Sequence, residues 1–426
     1  MPKIPTPLTI LLGKAVREAA KLRGGGSALP GLFVESIDKD FIYNCLSQLP
    51  KGVVLISGTN GKTTTTKMVV ELLEGQGLCV FTNRTGSNFT RGVAAALLGE
   101  ITPRGELKAD IAVLELDEAH AVHFVKAIPP RYCLLLNVMR DQLDRFGEID
   151  ATANLLKSVA KHATEAIIIN REDPRLLKIA QELPSQKVSF FGLAHDLRNQ
   201  FPNDDDMRGS DTVELELPPT LASLESVDNS AAKFMLNKTA LTATLKLDGI
   251  YNIFNAAAAI GLVAKILEHE LNITALTHTL ESITPAFGRG EKLMVDSHPL
   301  ELVLVKNPGG FRLGLKSFPA NGYATMIAIN DNYADGRDMS WLWDVDFDSL
   351  KLGGVAVVSG VRAYDMALRL QYDEVEVSAV EPHLQKALRH FVKEYPDVPK
   401  RIYCSYTAML GLRRELAKIT DVKVIS

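Results

Sequence analysis

Apolar and polar positions follow two alternating rhythms along the chain. The apolar runs Gly52–Ser57, Ile111–Leu116, Tyr132–Val138 and Ala166–Asn170, with the shorter Cys79–Thr82, suit strands buried on both faces. Stretches with helical spacing lie between several of them, beginning with Thr63–Gly75. This alternation predicts an α/β fold, a mostly parallel sheet with helices on both faces. The rhythm breaks from about Leu193 to Asn237, where Asn203-Asp204-Asp205-Asp206, Pro218-Pro219 and many serines predict a solvated, irregular insertion. Edge strands fit Thr212–Leu217 and Ala240–Leu247. A helix is predicted over Asn252–Glu268, and a second α/β unit follows Gly288-Arg289-Gly290. Its strands are expected at Leu302–Val305, Thr325–Ile329, Gly354–Ser359, Glu374–Val377 and Arg401–Tyr403. Its helices are expected at Ala363–Leu370, Pro382–Val392 and Tyr406–Ala417. The pattern divides the chain into a helical segment 1–50, a central domain 51–293 containing the insertion 193–237, and a C-terminal domain 294–426.

A length of 426 residues suits two or three domains, and 46% apolar with 23% charged residues is ordinary globular composition. A formal net charge of −4 gives no whole-chain signal for nucleic acid. Cys45, Cys79, Cys133 and Cys404 stand singly in mostly apolar surroundings, which predicts buried free thiols in a reducing cytosol and encodes no zinc ribbon. No apolar run approaches the roughly 18 residues that a membrane-spanning helix needs. Near the start, Ile4, Leu8, Ile10, Leu11 and Leu12 precede Lys14, Arg17, Lys21 and Arg23. Such a basic amphipathic helix can lie on an anionic membrane surface or pack on the first domain.

The most specific chemistry lies in Ser57-Gly58-Thr59-Asn60-Gly61-Lys62-Thr63, between a predicted strand and a predicted helix. Glycines let the backbone fold so that its N–H groups surround phosphate oxygens, and the helix N-terminus adds a positive dipole end. Lys62 can reach terminal phosphates, and the Thr63 hydroxyl can ligate magnesium. The spacing is shorter than the full Walker pattern, whose first glycine would fall at Ile56.

The form G-T-N-G-K-T resembles the loop of the Mur ligase and folylpolyglutamate synthase superfamily. That resemblance implies ATP binding by Gly58, Thr59, Asn60, Gly61, Lys62 and Thr63. It makes Glu115, in A-V-L-E-L-D-E, a magnesium ligand together with Thr63, with Asp117 and Glu118 as substitutes. Asn137–Arg145 is similar to the family's second signature, but Gln142 stands where amino-acid-adding members carry a metal-binding histidine. Asn252 and Asn255 match an adenosine-contacting segment, Arg289 a phosphate-contacting arginine, and Lys306-Asn307-Pro308 the opening of the C-terminal domain. His120 and His123 are read as surface residues of a helix.

Within the superfamily, Arg23–Gly31, Ile329–Phe347, Ser359–Leu370 and Tyr406–Arg414 resemble the MurT family. The expected architecture is then a Mur ligase central ATPase domain followed by a Rossmann-like C-terminal domain. Many MurT members carry a four-cysteine zinc ribbon at the insertion, so no zinc is carried over to this chain. The resemblance implies a cytoplasmic ligase, working at or near the inner face of the membrane. It would use ATP and magnesium to activate the α-carboxyl of D-glutamate in the lipid II stem peptide for amidation. A GatD-type glutaminase would be the partner and ammonia source, and Asp338 would complete that partner's catalytic triad. The alternative role for Asp338 is to cap the following helix, with Asp335 and Asp344 next in line for the catalytic role. Amino-acid addition of the folylpolyglutamate type and a catalytically silent binding module are the rival functions.

Overall fold

The computed structural model describes the chain outside residues 1–6, 23–28, 84–88, 142–148, 202–216, 229–230, 247–248, 285–288, 319 and 423–426. The side chains of residues 21–22, 199 and 289–291 also lie outside the description. Two compact units emerge. The first comprises Met1–Val138, Asp150–Lys246 and Asn252–Ile283; the second comprises Met139–Ile149, Leu247–Tyr251 and Thr284–Ser426. The second unit's main segment therefore starts before residue 294, because a strand absent from the predicted set opens it.

Among its described residues the first unit holds nine strands: β1 Val53–Ser57, β2 Val80–Thr82, β3 Ile111–Glu115, β4 Tyr132–Leu135, β5 Ala166–Asn170, β6 Val188–Leu193, β7 Ala222–Asp228, β8 Ala231–Leu236 and β9 Thr239–Thr244. They form one sheet in the order β2-β3-β1-β4-β5-β6-β7-β8-β9. Pairing is parallel from β2 to β7 and antiparallel through β8 and β9. Every residue of β1, β3, β4 and β5 is buried, as continuous apolar runs require when helices cover both faces. The stretch read as an irregular insertion is corrected here: β7 and β8 extend the sheet as a hairpin. Its polar alternation is that of strands with one solvated face, with Ala232, Phe234 and Leu236 inside. The expected strand at Thr212–Leu217 and the acidic run 203–206 fall almost wholly outside the described residues.

The chain leaves β1 toward β2 and β3 on one side, then returns to β4 on the other. Such a reversal opens a crevice at the carboxyl ends of the strands. Register aligns these ends, with Ile56 beside Glu115 and Ser57 beside Leu135.

Helix Ile250–Leu267 is almost entirely buried. Among the described residues, Ile250–Glu270 alone has the length and apolarity of a membrane span, and 72% of its apolar window is covered by the protein. Helix Pro7–Leu22 packs on Leu29–Ile37 and Thr90–Glu100, with Ile10 buried and the Lys14 Nζ donating to the Ile101 carbonyl at 2.6 Å. Leu8 and Leu11 remain exposed on this helix. Cys45, Cys133 and Cys404 are buried, and burial pushes the Cys133 thiol up to about 12. Cys79 departs from expectation: it is exposed, just before the sheet's edge strand.

The second unit holds β10 Arg289–Val295, β11 His298–Leu304, β12 Ala324–Ala328, β13 Val355–Ser359, β14 Val377–Glu381 and β15 Lys400–Cys404, in the order β10-β11-β15-β12-β13-β14. All pairs are parallel except the β10–β11 hairpin. β14 starts later than expected because Glu374 takes a positive φ of 57° in the preceding turn. One core gathers Phe311, Trp341, Phe347 and Tyr403; the other gathers Leu388, Phe391, Met409 and Leu412. Glu301 and Arg401 are paired neighbours on β11 and β15, both buried, and the Arg401 Nε donates to Oε2 at 2.9 Å. Tyr323 covers that guanidinium at 3.8 Å.

Gly31 tests the packing of the N-terminal helices. A Cβ there would sit 1.9 Å from the Arg91 carbonyl oxygen, which belongs to the backbone of Thr90–Glu100. Gly31→Ala should lower stability by about 1–3 kcal/mol through forced helix separation. Urea unfolding checks this, and an unchanged midpoint would refute the close contact.

Candidate functional site

The crevice between β1, β3 and β4 is lined by the glycine loop. Gly58 and Gly61 take φ of 135° and 88°, values that side chains resist. Gly61 also leaves room for Asn255, whose Nδ2 would lie 2.8 Å from an added Cβ. The loop is tied to the end of β4 by Asn137. Its carbonyl accepts from the Thr59 N–H at 3.0 Å, its Oδ1 from the Asn60 N–H at 2.8 Å, and its Nδ2 donates to the Asn60 carbonyl at 3.0 Å. Asn137 is held in turn by its neighbours. Asn170 donates to the Leu136 carbonyl at 2.9 Å, and the Val138 N–H donates to Asp173 at 2.6 Å. Burial pushes the Asp173 carboxyl up to about 6, against the pull of its backbone donors.

Lys62 opens the helix Lys62–Gly75. Its ammonium donates to the Gly58 carbonyl, to the Thr59 carbonyl at 3.3 Å and to Glu118 Oε1 at 3.1 Å. The Thr63 hydroxyl donates to Glu115 Oε1 at 2.9 Å. Asn83 braces Glu115 from the end of β2: its Nδ2 donates to the Glu115 carbonyl at 2.9 Å, and its Oδ1 accepts from the Glu115 N–H at 3.1 Å. A hydroxyl and a carboxylate converging beside a phosphate loop fit magnesium, a hard cation that takes few protein ligands and fills its octahedron with water and phosphate oxygens. Among the described residues no three His, Cys, Asp or Glu side chains converge on a common point. Asp117 is a cap, accepting from the Ala119 N–H at 3.3 Å. His120 lies edge-on to Phe89 and His123 is exposed.

In the second unit Asp338 is half-buried and accepts from the Ser340 N–H at 2.9 Å. Hydrogen bonds from the Ser340 hydroxyl and N–H hold its carboxyl below the ordinary aspartate range. Asp335 is committed to the fold, accepting from the Thr407 N–H at 2.8 Å, the Thr407 hydroxyl at 2.5 Å and the Asn332 N–H at 3.2 Å. Asp344 pairs with Arg140 at 2.8 Å. Asn307 caps Pro308–Ser317 by accepting from the Gly310 N–H at 2.6 Å. The Arg289 side chain, Gln142 and Gly288 lie outside the described residues.

Residues 56–263 match the family model of the Mur ligase middle domain, and residues 304–409 match that of the MurT ligase C-terminal domain. The MurT subunit of lipid II isoglutaminyl synthase from Staphylococcus aureus (strain COL) is 29% identical over 405 residues, covering 89% of this chain and 90% of that protein. The chain thus joins a Mur ligase middle domain to a MurT ligase C-terminal domain and resembles MurT subunits over most of its length. The Streptococcus pneumoniae (strain ATCC BAA-255 / R6) MurT subunit is 28% identical over 449 residues, covering 97% of each chain. In fold, the chain is similar to a pseudomurein peptide ligase type C from Methanothermus fervidus, with TM-score 0.68 and 18% identity over 90% of this chain and 81% of that one. The Mur ligase segment contains the glycine loop, Glu115 and Asn255, and the MurT segment contains Asp338.

Two residues escaped the sequence reading as site residues, Asn83 and Asn137, while Glu118, expected there only as a substitute magnesium ligand, pairs with Lys62. Asn137 stood inside the second signature, but its role depends on register between β1 and β4. Asn137→Ala removes two of the three bonds that pin the loop, each worth about 0.5–1.5 kcal/mol. Hydrogen-exchange mass spectrometry should show the peptide spanning Ile56–Lys62 exchanging about tenfold faster, with β5 unchanged. Equal protection in the variant would refute the anchor.

Proposed function

We propose that this MurT-like ligase uses ATP to activate the α-carboxyl of D-glutamate in the lipid II stem peptide and amidates it to D-isoglutamine. The observation that carries the reading is the convergence of Lys62, Thr63 and Glu115 at one crevice in a chain whose relatives bear the lipid II isoglutaminyl synthase name. In this reaction a carboxylate oxygen attacks the γ-phosphorus and the bond to the β-phosphate oxygen breaks, releasing ADP. Ammonia then attacks the acyl carbon, phosphate leaves, and the nitrogen loses a proton. Lys62 neutralises charge on the transferring phosphoryl group, and the loop N–H groups orient it. Thr63 and Glu115 would hold magnesium, which supplies further charge neutralisation.

A GatD-type glutaminase supplies the ammonia in this reading. An exposed aromatic face in the second unit supports a docked partner. Tyr364, Leu368 and Tyr372 recur every fourth residue along Ala363–Tyr372, and Trp343 meets Tyr372 edge-on at 5.1 Å. Arg369 holds the Trp343 turn in place, donating to the Leu342 carbonyl at 3.2 Å and the Val345 carbonyl at 2.6 Å. Asp338 lies just before that turn, and in this reading its carboxylate would orient the partner's catalytic histidine. The enzyme works in the cytoplasm, and exposed Leu8 and Leu11 offer peripheral contact with the membrane that carries its substrate.

Mass spectrometry of lipid II incubated with this chain, a cognate glutaminase, glutamine and ATP should show a product lighter by a single mass unit. Lys62→Ala should abolish it, because losing a charge-assisted contact to the transferring phosphate slows the step by about a hundredfold or more. Gain of a whole residue's mass would instead identify an amino-acid-adding ligase.

Asp338→Asn should slow glutamine hydrolysis by the complex by about 10⁴-fold, since an amide cannot stabilise imidazolium. Ammonia-driven amidation should stay near wild type. Parallel loss of both activities, or loss of neither, would remove Asp338 from the partner's triad.

A further inference from the structure

Glu118 is a charged residue of the crevice that the proposed reaction leaves without work. It opens helix Glu118–Ala127 with a side chain only 3% exposed, and its Oε1 lies 3.1 Å from the Lys62 Nζ. A buried carboxylate needs a partner, and stripping that partner away is strongly unfavourable. An ammonium has three donors. Lys62 directs them at the Gly58 carbonyl, the Thr59 carbonyl and Glu118. A phosphate oxygen that claims Lys62 must therefore displace one of these acceptors or share the ammonium with Glu118. Glu115 meets a hydroxyl, whereas Glu118 meets the cation that phosphate needs.

We propose that Glu118 is a positioning residue that acts through Lys62: it keeps the ammonium against the loop and competes with nucleotide phosphate for it. The competition weakens the grip on nucleotide and speeds release of ADP. This inference rests on the nucleotide reading of the loop. It gives Glu118 a role other than metal ligation, and it predicts that removing its charge tightens binding.

The test is equilibrium binding of ADP, with and without magnesium, to the full-length chain carrying Glu118→Gln, Lys62→Gln or both. Glu118→Gln should bind ADP about tenfold more tightly and release it correspondingly more slowly, because the surrounding acceptors no longer include a competing charge. Adenosine, which has no phosphate, should bind both proteins equally. In the Lys62→Gln background, Glu118→Gln should change ADP affinity by less than about threefold, since sites that act through one contact are not additive. Glu118→Asp, which keeps the charge and guards against a folding defect in the amide variant, should remain within about threefold of wild type. Unchanged or weaker ADP binding by Glu118→Gln overturns the proposal. So does a tightening that persists without Lys62, which would mark simple repulsion between carboxylate and phosphate. Weakening seen only with magnesium identifies Glu118 as a metal ligand and also overturns it. If the wild-type chain binds neither ADP nor adenosine, the nucleotide reading fails, and this inference fails with it.

Discussion

The site depends on one amide. Asn137 pairs its side chain with both backbone groups of Asn60 and receives the Thr59 N–H on its own carbonyl. A loop with two left-handed glycines has little intrinsic order, since glycine loses more conformational freedom than any other residue when it is held. The bonds to Asn137 supply that order from the neighbouring strand. Asn170 and Asp173 then fix the segment carrying Asn137, so rigidity passes laterally from β5 through β4 to the loop beside β1. Asn83 performs the same service for Glu115 from β2. The geometry of the crevice is thus built by strand ends bracing one another, which a parallel sheet with aligned carboxyl ends provides.

Charge is distributed with similar economy. Lys62 faces Glu118 while Thr63 faces Glu115, so the loop presents a neutralised lysine beside a hydroxyl–carboxylate pair. In the second unit, Arg369 and Arg401 are buried cations that organise structure. Arg369 donates to two carbonyls of the Trp343 turn, and Arg401 ties β15 to Glu301 on β11. Both lie against aromatic rings, where a flat, weakly hydrated guanidinium is at less disadvantage than an ammonium would be.

The parallel core was legible because its strands are continuous apolar runs bounded by turn residues. β1, β3 and β5 fall almost where Gly52–Ser57, Ile111–Leu116 and Ala166–Asn170 put them. The glycine loop with Lys62 stood out because phosphate chemistry constrains local spacing, whereas Glu115, 52 residues beyond Thr63, was expected there only from the family resemblance. β7 and β8 were missed because their half-solvated faces carry serine, acidic and lysine side chains, and they adjoin a stretch rich in Asp, Pro and Ser that looks like a loop by composition. Asn83 and Asn137 were missed for another reason. Their importance comes from pairing across strands, over 32 residues between Asn83 and Glu115 and 77 between Asn60 and Asn137. Local pattern carries no record of such register.

Helix Ile250–Leu267 has a consequence for how the chain is made. By length and composition it resembles a membrane span, as buried core helices can. Yet it is synthesised after β1 through β9, and Gly261 lies 3.3 Å from Ala222 and 3.9 Å from Ile168 when given a Cβ. By the time this helix leaves the ribosome, the surface that covers it has already emerged, and domains fold as units during synthesis. Rearranging the gene so that this helix came first would expose its largely apolar surface to chaperones before any sheet existed to receive it.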